Sequence, residues 1–265
     1  MPAAAATDHP GRDVVEVVNP SGRGQVLLVC EHASNVIPPE FGNLGLAPEV
    51  LTTHVAWDPG ARAVAGRLSA LLDAPLVAAR YSRLVYDCNR AEGAAGAVPE
   101  TSEVYDIPGN RGLDDDARRT RRRDFCEPFH DAVSRLLDRH RKDGRDTAVV
   151  TVHTFTPVYF GKRREVELGV LYDADTRLAD ALMPVVEAQG GLDVRRNAPY
   201  GAADGVTYTL IRHGLARGLA NVMLEIRNDL VADEAAQAAM ARRLATALSA
   251  ALAGLTRDGG SAAHA

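Results

Sequence analysis

The sequence predicts an α/β fold, a single sheet covered by helices on both faces. Three observations carry this expectation. Continuously apolar runs such as "VLLVC" at 26–30 and "NVMLEI" at 221–226 have the length of buried strands rather than of helices. Segments with apolar residues at helical spacing lie between such runs, in the order β-α-β-(β)-α-β-β-α-α-β-α, and that alternation favours a sheet with crossover helices. Finally, 265 residues, 46% of them hydrophobic and 25% charged, can bury a large core without disulfides or metals.

Residues 1–20 open with "MPAAAATDHPGRD", which is small, polar and without a secretory apolar stretch, so a tail is expected there. Residues 25–31 and 75–81 read as buried strands, with the helix "PGARAVAGRLSALL" at 59–72 between them. Another short strand is expected at 83–88, after a break at Ser82. The stretch 91–113, "AEGAAGAVPETSEVYDIPGNRGL", is dominated by glycine, proline and turn pairs. A structureless loop of that length is usually a functional lid, and a lid is expected here.

A long amphipathic helix follows at 114–142, with Phe125, Phe129, Val133, Leu136 and Leu137 on one side. Strands are then expected at 148–153 and 166–172, a helix at 175–188, and a mostly helical stretch at 205–215. The strand at 221–226 leads to a closing alanine-rich helix at 233–253. One domain is expected over 21–255, with a second short tail at 256–265. The apolar faces at 114–142 and 233–253 suit internal packing or a homo-oligomer equally well.

A formal charge of −5 gives no general electrostatic reason to bind nucleic acid or an anionic membrane. The basic run "RRTRRRDF" at 118–125 reads as the solvated face of a charge-alternating helix. The three cysteines, Cys30, Cys88 and Cys126, are too scattered for a disulfide framework or a cysteine zinc site. No window approaches the length of a membrane span, and the expected compartment is the cytoplasm.

In open α/β sheets ligands bind beyond the carboxyl ends of the strands, so the residues delivered there matter most. The first strand delivers Glu31 and His32, "YDCNR" delivers Asp87, Asn89 and Arg90, "AVVTVHTFTP" delivers His153, and "NVMLEIRND" delivers Glu225 and Arg227. Each has a structural explanation taken alone: a hydrogen-bonded loop histidine, a solvent-facing edge glutamate, an Asp87–Arg90 brace. Together they fit a hydrolytic metal site, because the topology gathers strand ends that chance would scatter.

A catalytic zinc takes about three nitrogen or oxygen ligands and keeps one position open. His32 and His153 are the natural nitrogen ligands; His54 and His213 are less suited, falling on predicted helices or their edges. The carboxylate is either Asp58, in "HVAWDPGA", or Glu31. Asp58 is preferred, because a regular strand would turn Glu31 away from His32, although Asp58 can equally be a helix N-cap before Pro59. Glu225 suits the proton shuttle, and Arg90 and Arg83 suit an oxyanion and a substrate carboxylate in either assignment.

With these residues assembled, the chain resembles the N-formylglutamate amidohydrolase family. The segments that carry the likeness are "CEHASNVIPPEFGNLGL", "HVAWDPGARAVAGRL", "YSRLVYDCNR", "PGNRGL", "VHTFTPV", "GVTYTLIRHGLARGL" and "MLEIRNDLV". The stretch "HASN" departs from the His-Ser-Gly-like turn of the members that act in histidine degradation, a difference that bears on the substrate. More distantly the family is similar to zinc carboxypeptidases and aspartoacylases. The resemblance implies a phosphorylase/hydrolase-like three-layer sandwich with a mixed sheet and a divalent metal, zinc first among them. It implies His32 and His153 as ligands and Glu225 as base. It also implies Asn89 and Arg90 as substrate contacts. Asn35 stands where the distant relatives carry a ligating glutamate, so it is grouped with the substrate contacts, and Asp58 is left as the carboxylate ligand. Arg83 or His213 would anchor a substrate carboxylate. The activity implied is hydrolysis of N-formyl-L-glutamate to L-glutamate and formate. The alternatives are a deacylase of another N-acyl amino acid or small peptide, and a binding or regulatory protein that keeps the fold.

Overall fold

Seven strands form the central sheet of the computed structural model, which describes residues 13–261, with side chains through residue 255. In chain order they are β1 (Val15–Val18), β2 (Val26–Cys30), β3 (Leu76–Ala79), β4 (Ala148–Phe155), β5 (Leu168–Leu171), β6 (Val194–Arg196) and β7 (Asn221–Arg227). Across the sheet they lie in the order β1-β3-β2-β4-β7-β5-β6. The inner strands β3, β2, β4 and β7 are parallel, while β1 and β5 run antiparallel to their inner neighbours, so the sheet is mixed.

The principal helices are α1 (Ala61–Leu71), α2 (Asp115–Arg121), α3 (Glu127–Lys142), α4 (Arg177–Ala188) and α5 (Glu234–Ser261). Val64 and Leu68 of α1, Leu178 and Leu182 of α4, and Leu244 and Leu248 of α5 pack on Leu28, Val150 and Leu224 of the sheet. On the opposite face, Phe129, Val133 and Leu137 of α3 meet Leu27, Val77 and Val149. Successive strand residues thus enter opposite apolar layers. That is why β2, β4 and β7 are buried along their whole lengths and read as unbroken apolar runs. The result is a three-layer α/β sandwich.

Register places the chemistry. Glu225 of β7 lies opposite His153 of β4, and Val29 of β2 lies opposite Thr151. Two residues further on, Glu31 comes level with His153. The carboxyl ends of three neighbouring strands therefore meet at one edge of the sheet.

Several expectations need correction. Val15–Val18, inside the expected tail 1–20, is a strand, because it pairs antiparallel with β3 and closes that edge; residues 1–12 lie outside the described residues. At the other end, α5 continues through Ser261, into the expected tail 256–265. No strand forms at 83–88. There the Asn110 amide donates to the Leu84 carbonyl at 2.9 Å, Ser82 Oγ accepts from Leu84 N at 3.1 Å, and β1 already occupies the place beside β3. The strand β6, "VRR", lacks an apolar alternation and was not foreseen in the pattern.

The expected helix 114–142 is interrupted by a π-helical turn at Arg122–Cys126, just before Pro128, whose ring nitrogen has no proton to give the preceding turn. The stretch 205–215 is helical from residue 208 onward, with a π-helical turn at Leu210–Gly214 running into a 3-10 turn at Leu215–Arg217. Residues 91–113 are not structureless: Thr101–Ser102 pairs with Tyr105–Asp106 in a hairpin, and Ala97, Val98, Ile107 and Asn110 are buried. The arginines of "RRTRRRDF" are engaged locally: Arg118 with Glu100, Arg119 with Asp116, Arg122 with Glu92, Arg123 with Asp124, and Arg121 with Asn110. No helix among the described residues is long and apolar enough to cross a membrane.

Candidate active site

At the carboxyl edge of β2, β4 and β7 lies a cavity of about 170 Å³. His32, Asp58, Arg83, Asn89, Arg90, His153 and Glu225, all named from the sequence, line it, and so does His54. His32, Asp58 and His153 are buried and form a group that could hold a metal ion. His32 Nδ1 is 3.2 Å from His153 Nδ1 and 3.5 Å from Asp58 Oδ2, and His153 Nδ1 is 2.9 Å from Asp58 Oδ2. Ligands at about 2.0–2.1 Å from a tetrahedral zinc stand about 3.3 Å apart. The three edges bracket that value, so the residues present fit a divalent ion.

Both imidazoles are held from behind. His32 Nε2 meets Asp87 Oδ1 at 2.8 Å, and His153 Nε2 meets Glu31 Oε2 at 3.1 Å. With the proton of each ring on Nε2, the Nδ1 lone pairs turn toward one another and toward Asp58, the arrangement in which a carboxylate orients a metal-binding histidine. The face argument against Glu31 assumed that the strand continues, but β2 ends at Cys30. Glu31 is instead occupied with the outer nitrogen of His153. Nor does Asp58 cap a helix: the N-cap of α1 is Gly60, without a side-chain bond. The carboxylate of Asp58 reaches the Thr154 amide at 3.2 Å and the Arg83 guanidinium.

Electrostatics sort these groups. Burial, reinforced by Arg83, pushes the His32 imidazole down to about 4, so the ring is neutral at pH 7. Burial also opposes charge on Asp87, but His32 and then Arg90 outweigh it and hold the carboxyl well below its usual range. At His153 burial opposes the imidazolium, whereas the Glu31 carboxylate outweighs it and raises the ring; an entering cation must displace that proton. Glu225 moves the other way. Burial pushes its carboxyl up, against the pull of His153, His32 and Arg83, and among the described residues its Oε2 has no hydrogen-bond partner.

Arg90 is braced between two neighbours, with Nε 3.7 Å from Asp87 Oδ2 and Nη1 donating to the Asp204 carbonyl at 2.6 Å. Asn89 makes two side-chain bonds to the loop opposite. Its Oδ1 accepts from Thr209 N at 3.0 Å and its Nδ2 donates to the Val206 carbonyl at 2.5 Å. Asn89 therefore fixes the loop that carries Arg90.

Two residues expected in the site lie elsewhere. Asn35 donates its amide to the Leu51 carbonyl at 2.9 Å, a bond that holds a turn. His213 is buried against His130, Nε2 to Nδ1 at 2.8 Å, on the π-helical turn Leu210–Gly214, and does not line the cavity. Conversely, Ser102, Thr156, Tyr159 and Tyr200 line it without being singled out by sequence. They sit on hairpins and loops, where no periodicity marks a residue as inward-facing.

The family model described as N-formylglutamate amidohydrolase matches residues 24–232, a span that contains every residue of the cavity wall. A solved gene product from Agrobacterium tumefaciens is 53% identical with a TM-score of 0.90, over 92% of this chain and 96% of that one. The N-formylglutamate amidohydrolase from Ralstonia eutropha JMP134 is 18% identical with a TM-score of 0.70, over 93% of this chain and 99% of that one, a likeness of fold. A comparison with curated proteins returns no match. The match over most of the chain marks it as a hydrolase acting on an amide bond, and the chain belongs to the N-formylglutamate amidohydrolase family.

Proposed function

We propose that this chain hydrolyses the formyl amide of N-formyl-L-glutamate, giving L-glutamate and formate, with a divalent ion, most simply zinc, held by His32, Asp58 and His153. The observation that carries the reading is the triangle of His32 Nδ1, His153 Nδ1 and Asp58 Oδ2, with edges of 2.9–3.5 Å, in the same cavity as Glu225. A bound divalent ion would supply Lewis acidity, polarising a carbonyl and allowing a water to ionise near neutral pH. The remaining work falls to the chain.

Glu225, raised by burial, accepts the proton of the attacking water and passes it to the departing amine nitrogen as the C–N bond breaks. Arg90 donates to the oxygen that gains charge when the carbonyl carbon becomes tetrahedral. Asp87 and Glu31 keep the two imidazoles in the required tautomer. Arg83 offers an Nε that is buried and lacks a partner among the described residues, a donor suited to a substrate carboxylate.

The test is formate release from N-formyl-L-glutamate by zinc-loaded protein, beside N-acetyl and N-succinyl analogues. Formate release that is abolished by chelation and restored by zinc supports the reading. Turnover of the larger acyl groups alone would replace the substrate, and full activity in metal-free protein would remove the metal.

A further inference from the structure

The two imidazoles of the candidate metal site are backed by carboxylates from separate segments, His32 by Asp87 and His153 by Glu31. One residue, Thr209, reaches both supports. Its backbone N–H donates to Asn89 Oδ1 at 3.0 Å. Asn89 N in turn donates at 2.8 Å to Asp87 Oδ1, the same oxygen that meets His32 Nε2. On its other side, the Thr209 side chain lies within hydrogen-bonding reach of the Glu31 carboxylate, whose Oε2 is 3.1 Å from His153 Nε2. The chain of contacts runs from His32 through Asp87, Asn89, Thr209 and Glu31 to His153, behind the cavity.

The open places in this chain match. Thr209 is fully buried, and its Oγ1 is paired with no other group among the described residues. Glu31 Oε1 is buried and equally without another partner among them. A hydroxyl carries one O–H that rotates to suit its neighbours, and a carboxylate only accepts. Away from water, one O–H···O bond satisfies both groups, and leaving them unpaired costs more than such a bond gains in solvent. Thr207, two residues earlier, shows the contrast, for its hydroxyl is spent on Asp173 Oδ2 at 2.7 Å. The bond matters for the metal site. With Oε1 held, the Glu31 carboxylate cannot swing away, so Oε2 stays on the outer nitrogen of His153 and the Nδ1 lone pair stays aimed at the cavity.

We propose that Thr209 is a positioning residue of the metal site, its hydroxyl donating to Glu31 Oε1 while its backbone anchors Asn89, so that one residue keeps both histidine ligands in place. The proposal rests on the amidohydrolase reading above, which supplies His32, Asp58 and His153 as ligands, and adds a residue that sets how tightly they hold the ion. Thr209 does not line the cavity; it acts through Glu31 and Asn89.

The experiment compares wild-type protein with Thr209→Val and Thr209→Ala, which remove the hydroxyl with and without keeping the shape, and with Thr209→Ser, which keeps the hydroxyl. Zinc affinity is measured by competition with a chromophoric chelator. Thr209→Val and Thr209→Ala should bind zinc about tenfold more weakly, the lower end of the cost of losing an outer partner of a metal-binding histidine. Thr209→Ser should recover most of the affinity. Unchanged affinity without the hydroxyl, or a loss that serine does not recover, would overturn the assignment. Metal-free protein separates this from failure of the metal reading. Histidine tautomers are read there from nitrogen NMR shifts in alkaline solution, where the rings are neutral. If the wild type binds no zinc, a His153 proton that sits on Nε2 in wild type and Thr209→Ser but redistributes toward Nδ1 in Thr209→Val still supports the positioning role, and identical spectra refute it.

Discussion

At the scale of single residues, Glu225 gives the sharpest test. Glu225→Gln keeps the shape and the register opposite His153 but has no carboxylate to carry a proton. It should retain bound zinc, measured by elemental analysis, and lose about 10² to 10⁴ in kcat. Unchanged turnover would take Glu225 out of the mechanism. Asp58→Asn should behave in the opposite order, losing metal first, because an amide oxygen is a weaker ligand than a carboxylate. His32, His153 and Glu225 were legible in the sequence because each lies at or just beyond the end of an apolar run, where topology must bring it to the sheet edge. Asp58 was legible only as a choice between ligand and cap, because its role depends on a turn that ends 2.9 Å from His153. Asn35 and His213 carry the same chemistry in sequence but are satisfied by the Leu51 carbonyl and by His130.

At the scale of elements, the 91–113 segment works as a packed wall. At the turn of its hairpin Glu103 links two other elements: Oε2 lies 3.0 Å from His54 Nε2, and Oε1 accepts from Phe160 N. One carboxylate thus ties three loops together. Glu103→Ala should raise KM by about tenfold with kcat changed less, since one charge-assisted hydrogen bond of this kind is worth about 1.5–3 kcal/mol when kept from water. Hydrogen exchange at 158–163 should quicken, and unaltered exchange there would argue against the tie. A second element-level expectation concerns the turn Leu210–Gly214. Burial, then His130, Arg217 and Arg212, push His213 down to about 2, whereas an unfolded histidine titrates near about 6.5. Below that pH the unfolded chain binds the extra proton, so stability from this group is complete above about 6.5 and falls as the solution is acidified, by about 1.4 kcal/mol per pH unit. Urea unfolding at pH 7 and pH 5 should show a smaller loss in His213→Gln than in wild type; equal losses would sink the idea.

At the scale of the whole molecule, the site exists only while β2 and β4 are neighbours and the 52–60 turn sits against them, as the Asp58 N to His32 carbonyl bond of 2.9 Å requires. An ion held there binds the folded chain and not the unfolded one, so zinc should raise the melting temperature. At a thousandfold excess over Kd the gain is about 4 kcal/mol, or roughly 10 °C for a domain of this size. His32→Ala should abolish the shift, and a shift that persists would place the metal elsewhere.

The sequence alone determined the alternation of elements, the inner strands and the two histidines and the glutamate at their ends, because burial on both faces leaves an unbroken apolar run and polar residues interrupt it only where it stops. Tertiary structure decided what local pattern cannot encode. It set β1 and β6 at the sheet edges, where half-exposed strands lose the apolar signature. It also assigned Glu31 to the outer nitrogen of His153 and Asp58 to the inner one, a choice fixed by distances between segments far apart in the chain.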